Sequence, residues 1–136
     1  MSKIDHVQLQ SLPTAADARG SMTYVESQNQ ADIDFAHVRW STIIPKYPEH
    51  FQFAALRSSI LIMSLQGGLI IKVFERKVCK TYHLEAPNHS LQIPSGLWIQ
   101  ISRDSDKAVG LIVSSLREED SGYVYSYEDY CSITKS

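Results

Sequence analysis

The sequence predicts an all-β domain, a sandwich or barrel of antiparallel strands with little helix. Three observations predict it. Apolar and polar residues alternate along much of the chain, as they do on a half-buried strand. Turn residues separate the apolar runs every 8–12 residues or so, the spacing of sandwiches and barrels. Helical periodicity is nearly absent. The chain has 136 residues, 43% hydrophobic and 21% charged, which fits one globular domain spanning 1–136. A chain of this size buries roughly two thirds of its unfolded surface, enough for a core without metal or disulfide staples.

The strands can be placed in order. Val7, Leu9 and Leu12 mark an N-terminal strand. His37 alternates with Arg39 on another. Ser59-Ile60-Leu61-Ile62-Met63 and Val109-Gly110-Leu111-Ile112-Val113 are short apolar runs that read as strands buried on both faces. Gln66-Gly67-Gly68 is a hairpin signal, because glycine supplies the positive φ that a tight turn needs. The strand after it, Gly68 to Phe74, puts Leu69, Ile71 and Val73 on one face. Ala86-Pro87-Asn88 and Pro94-Ser95-Gly96 are further turns, and between them Leu91 and Ile93 mark a strand. The run Trp98 to Ile101 follows, and Arg103 to Asp106 turns again. Arg117 to Asp120 reads as one short helical turn. Tyr123, Tyr125 and Tyr127 alternate, as one face of a last strand would. Roughly ten strands are expected in all. The order strand, glycine turn, strand, Pro-x-Gly turn, strand is that of a cupin half-barrel.

Composition narrows the function. The net charge is −2 with both signs scattered. No basic stripe marks a nucleic-acid partner. No apolar run approaches ~18 residues, so no membrane span is expected, and the N-terminus lacks the apolar stretch of a signal peptide. The two cysteines, Cys79 and Cys131, form no CxxC pair and are expected as free thiols of a cytoplasmic protein.

Several segments, in order, resemble one family. Asp17-Ala18-Arg19-Gly20-Ser21-Met22 is similar to the Asp-x-Arg-Gly-x-Leu opening of the cupin (RmlC-like) 3,4-ketoisomerases of dTDP-4-keto-6-deoxyhexoses. Leu65-Gln66-Gly67 matches their Leu-Asn-Gly hairpin. Leu91 to Trp98 resembles their Leu-x-Val-x-Pro-x-x-Trp stretch. Ser114-Ser115, Glu118-Glu119-Asp120 and Tyr123 to Tyr130 resemble their Ala-Ser-x-x-Tyr-x-Glu-x-Asp-Tyr tail. The resemblance covers roughly residues 7–133. It implies a jelly-roll homodimer that handles a nucleotide-linked sugar and moves a carbonyl between C3 and C4.

The departures bear on chemistry. The family carries His-x-His-Lys on the strand before the hairpin, where this chain reads His50-Phe51-Gln52-Phe53-Ala54-Ala55-Leu56-Arg57. Counted back without gaps, the two histidines fall on Phe53 and Ala55. With one extra residue, as a β-bulge would insert, they fall on Gln52 and Ala54. The family's histidine after the tryptophan is Ile99 here, and its early tyrosine pair is replaced around Arg39-Trp40. Moving a carbonyl from C4 to C3 passes through an enediol, which needs a base at C3 and groups that shuttle protons between two oxygens. Phe, Ala and Ile cannot do this, nor can they ligate a metal. No metal and no cofactor are expected.

The remaining candidates each have two readings. His50, beside Glu49, is either a relocated base or a water-exposed loop end. Arg19 either grips a pyrophosphate through its planar fork or pairs on the surface with Asp17. Arg39, Arg57 and Gln52 are further candidates to hold a ligand. Trp98 either stacks on a ring or fills the barrel. His37 either lines the cavity or packs structurally, and the tyrosine-rich tail is either a ligand box or packing. His83 and His89 read as surface residues. Three functions stay open: ligand binding without turnover, an active ketoisomerase with a moved base, and a structural dimer.

Overall fold

The computed structural model describes residues 2–25, 34–85 and 88–134. A 3-10 turn, Lys3–His6, leads into β1 (Gln8–Ser11), β2 (Thr14–Asp17), β3 (Gly20–Thr23) and β4 (His37–Ser41). Then come β5 (Phe51–Ala55), β6 (Ile60–Gln66), β7 (Gly68–Glu75), β8 (Val78–Glu85), β9 (His89–Ile93), β10 (Trp98–Arg103) and β11 (Val109–Ser114). The chain ends with α1 (Glu118–Ser121), β12 (Tyr123–Val124) and α2 (Tyr127–Thr134). The Ala86-Pro87 part of one expected turn lies outside the described residues.

These strands form two five-stranded sheets of order β1-β9-β6-β11-β4 and β12-β5-β10-β7-β8, with β2 and β3 as a separate hairpin. The strand pairs are antiparallel. The architecture is a jelly roll, and the hairpins that shape it sit where the glycines require. Gly67 has φ +71°, and a Cβ there would collide with the Lys107 carbonyl oxygen and with Ser105 Oγ, so β6 and β7 can be joined this tightly only through glycine.

Between the sheets lies the main core. It takes Phe53 and Ala55 from β5, Ile60 and Ile62 from β6, and Leu69, Ile71 and Val73 from β7. Leu91 and Ile93 of β9, Ile99 and Ile101 of β10 and Ile112 of β11 add to it, with Ile44, Leu84, Leu97 and Ala108. Ile4 of the 3-10 turn joins the same cluster, held by backbone N–H bonds from Lys3 and Ile4 to the Glu75 carboxylate.

A second core was not anticipated. Ala54 and Trp98 point to the other side of their sheet and pack with Tyr130 of α2, against Leu56, Phe74 and Val124. The expected tyrosine strand is therefore a correction: only Tyr123–Val124 pairs as strand, and from Tyr127 the chain is helical. Ser126 Oγ accepts the Asp129 backbone N–H, a helix-starting bond. The helix then lays Tyr127 and Tyr130, one turn apart, on Trp98, with ring centroids 5.2 and 5.3 Å away. The acidic stretch forms the short α1 as expected. No helix among the described residues is long and apolar enough to cross a membrane.

Candidate functional site

Strand pairing decides which way β5 faces. Phe53 pairs with Ile99 and Ala55 with Tyr123, all on the interior side. Gln52 pairs with Gln100 on the outer side. The register that places the family's histidines on Phe53 and Ala55 is thus the interior one. Phe53 and Ala55 are buried in the core with Ile99. In this register the positions to which the resemblance assigns the family's histidines, Phe53, Ala55 and Ile99, are sealed by hydrocarbon.

Polar groups gather instead where the sheets part, between the edge strands β4 and β12. β4 exposes Val38 and Trp40 and turns His37, Arg39 and Ser41 inward. The Arg39 guanidinium lies over the Tyr123 ring at 4.6 Å and over the Phe53 ring at 5.6 Å, within cation–π range. Phe53 meets Tyr123 edge-on at 6.0 Å and stacks on Phe51 at 5.5 Å. The neighbouring Ser114 and Ser121 hydroxyls bond each other at 3.0 Å. Four buried polar atoms of this mouth have no hydrogen-bond partner: His37 Nδ1, Arg39 Nε and Nη2, and Tyr123 Oη. Native structures leave few such groups unpaired. Ser58, Ser90 and Trp98 carry the other such atoms among the described residues.

Tyr123 reaches the mouth because the chain reverses just before it. α1 ends at Gly122 in the left-handed conformation, φ +68°, the usual glycine stop. Arg57 holds that reversal: its Nε donates to the Asp120 carbonyl at 2.9 Å and its backbone N–H to the Ser121 carbonyl. Arg57 is exposed and clamps a turn on the outside, away from the interior.

The other candidates scatter. Arg19 sits on the exposed β2–β3 hairpin, its side chain 91% exposed and paired with Asp17 at 2.9 Å. Arg19 side-chain and backbone bonds hold the Asp17 carboxyl below its usual range. His50 is on the outer face, bonded to the Pro48 carbonyl at 3.3 Å and to Gln52 Oε1 at 3.1 Å. It shares a small void with Tyr47, Lys72, Gln100 and Ser102. Gln52 belongs to this outer group. Trp98 is a correction: it is 1% exposed beneath α2, so it neither fills the interior nor faces a ligand there. Of the candidates, His50 and Gln52 meet through their hydrogen bond on the outer face, and His37 and Arg39 share the inner face of β4. Tyr123 was readable as part of a tyrosine-rich tail, but not as a lone interior residue; the signal was Gly122 directly before it. Among the described residues no three or more His, Cys, Asp or Glu come together as a metal site would require. Cys79 and Cys131 are free and exposed.

The family model described as "FdtA: WxcM-like, C-terminal" matches residues 5–135. The chain belongs to this family. No curated protein matches it in sequence. Among solved structures, a mutant 3,4-ketoisomerase QdtA from Thermoanaerobacterium thermosaccharolyticum, in complex with TDP-4-keto-6-deoxyglucose, superposes with a TM-score of 0.82 at 21% identity, covering 95% of this chain and 94% of that one. A 3,4-ketoisomerase from Helicobacter canadensis gives 0.83 at 18% identity over 96% and 98%. The TDP-quinovose 3,4-ketoisomerase WlaRB from Campylobacter jejuni gives 0.78 at 19% over 91% and 95%. At such identities the likeness establishes the jelly-roll fold, while membership in the FdtA family rests on the sequence match.

Proposed function

We propose that this chain binds a nucleotide-linked sugar, of the dTDP-hexose class, without the 3,4-ketoisomerisation typical of its relatives. One observation supports the reading: Phe53, Ala55 and Ile99, to which the resemblance assigns the family's histidines in the ungapped register, lie in the apolar core, while polar groups without partners stand beside them. A chain that has lost its general base and kept a polar mouth is suited to hold a ligand rather than convert it. QdtA has been captured with TDP and with TDP-4-keto-6-deoxyglucose, which supports the ligand class. Arg19, free at the tip of its hairpin but for Asp17, is suited to the diphosphate.

The test is direct. TDP-glucose should bind by calorimetry, Arg19→Ala should weaken it, and TDP-4-keto-6-deoxyglucose should be recovered unchanged after long incubation. Turnover that is lost in His50→Asn would replace this reading with that of a relocated base. A protein that binds no nucleotide at all would overturn the nucleotide-sugar reading.

The same reading includes a second copy of the chain. The outer face of the β4 sheet carries Val38 and Trp40, the latter 71% exposed, in register with Val113 and Leu111 of β11. The β2–β3 hairpin is exposed along nearly its whole length, and an isolated two-stranded hairpin is marginal in water. Both features call for a partner surface. Light scattering at micromolar concentration should give twice the 15.4 kDa of one chain; a monomeric mass would remove this part of the proposal.

A further inference from the structure

We propose that the mouth between β4 and β12 is an oxyanion site, so that the buried end of the ligand carries a carboxylate or a phosphate rather than a neutral sugar. This rests on the binding reading above and goes beyond it, because it assigns a charge to the part of the ligand that enters the protein.

The argument starts from Arg39. Its two orphaned nitrogens are Nε and Nη2, which form one edge of the guanidinium. That edge presents two parallel N–H groups, the fork that matches the two oxygens of a carboxylate or phosphate. Tyr123 and Phe53 lie to one side of the same guanidinium, 4.6 and 5.6 Å from its centre with their own centroids 6.0 Å apart, and neither ring gives that edge an acceptor. The ion pairs among the described residues do not include Arg39. Stacking on aromatic rings offsets part of a cation's lost hydration, but it supplies no acceptor for the N–H groups. Arg39 is half-buried, and donors shut from water without an acceptor are costly; an anion supplies the acceptors and answers the charge.

The remaining orphans fit the same guest. Tyr123 Oη, across the mouth on the other sheet, can donate one O–H. His37 Nδ1, two residues from Arg39 on the same face, can donate as the tautomer that carries its proton there. Ser114 and Ser121 already satisfy each other and do not compete. Fork, phenol and imidazole can all act as donors, the complement of an oxyanion. The walls are Phe53 and the core behind it, so the site is dry on its inner side and each bond counts more than in water.

The experiment compares TDP-glucuronate with TDP-glucose, which differ only in a carboxylate at C6. Calorimetry on the wild-type protein should show at least tenfold tighter binding of the glucuronate. Arg39→Met should bring the ratio to about one. Tyr123→Phe, which keeps the ring under the guanidinium and deletes one donor, should weaken glucuronate binding by about tenfold. Equal affinities in the wild type, or a preference that survives Arg39→Met, would overturn the proposal. Free D-glucuronate and inorganic phosphate keep the test separate from the nucleotide reading. If no nucleotide binds, either oxyanion should still raise the Tm of the wild type and not that of Arg39→Met, and the two would show which oxyanion is preferred. No shift with either, together with no nucleotide binding, would also overturn it.

Discussion

Trp98→Ala is expected to cost about 3–5 kcal/mol, the range for emptying a large aromatic site in a core. Trp98 is 1% exposed and is the floor on which α2 lies. Its ring meets Tyr127 and Tyr130 at 5.2 and 5.3 Å, and Ala54, its neighbour across the β5–β10 pair, is too small to fill the space. Tyr130 also donates its hydroxyl to the Gly96 carbonyl at 2.7 Å, and burial pushes its phenol above the usual pKa. Losing the indole therefore removes the packing that keeps this bond dry. Urea unfolding should show a midpoint lowered in proportion, with hydrogen exchange in α2 rising more than in β6. A loss below about 1 kcal/mol, the scale of an exposed site, would mean that the helix does not depend on this contact.

The second large effect comes from placing histidines where the ungapped resemblance puts the family's pair. Phe53→His together with Ala55→His should destabilise the protein by more than about 3 kcal/mol and create no ketoisomerase. Each imidazole would enter a site packed with hydrocarbon. Burying a polar group without a partner costs about 1–3 kcal/mol, and Ala55→His adds several atoms where the core has no room, typically another 1–3 kcal/mol or so. Ile99 opposite Phe53 offers no bond to orient a ring. The outcome is read from urea midpoints and from the C3–C4 isomer ratio of TDP-4-keto-6-deoxyglucose. A double variant as stable as the wild type and active would show that the remaining site was intact and lacked only its base.

How much of this was readable beforehand differs from element to element. β6, β7, β10 and β11 were legible because each is short, apolar and bounded by turn residues that physics restricts, such as Gly67 with its positive φ. The direction of β5 was not. Phe51, Phe53 and Ala55 face one core while Ala54 and Leu56 face another, so alternation, which marks a strand with one wet side, had nothing to mark. Trp98 was misplaced for the same reason, since a large aromatic signals a core without saying which. α2 was read as strand because Tyr123, Tyr125 and Tyr127 are evenly spaced. The better signal was Ser126 with Asp129 three residues on, a helix start, followed by Tyr127 and Tyr130 one turn apart. Arg39 and His37 were found through strand alternation, but the meeting of Arg39 with Tyr123 depends on the reversal at Gly122 and could not be read from spacing.

The two edges that bound the mouth belong to different sheets, and among the described residues no backbone ladder joins β4 to β12. Elsewhere the distance between strands is fixed by peptide hydrogen bonds at about 4.8 Å. Across this seam the two sheets meet through side chains, with one guanidinium resting on one phenol ring. Residue 39 is therefore placed to set the aperture that strand pairing leaves open. A relative with a shorter or longer residue there could gape or shut without disturbing a single strand, which gives this fold a way to change the size of its guest through one codon.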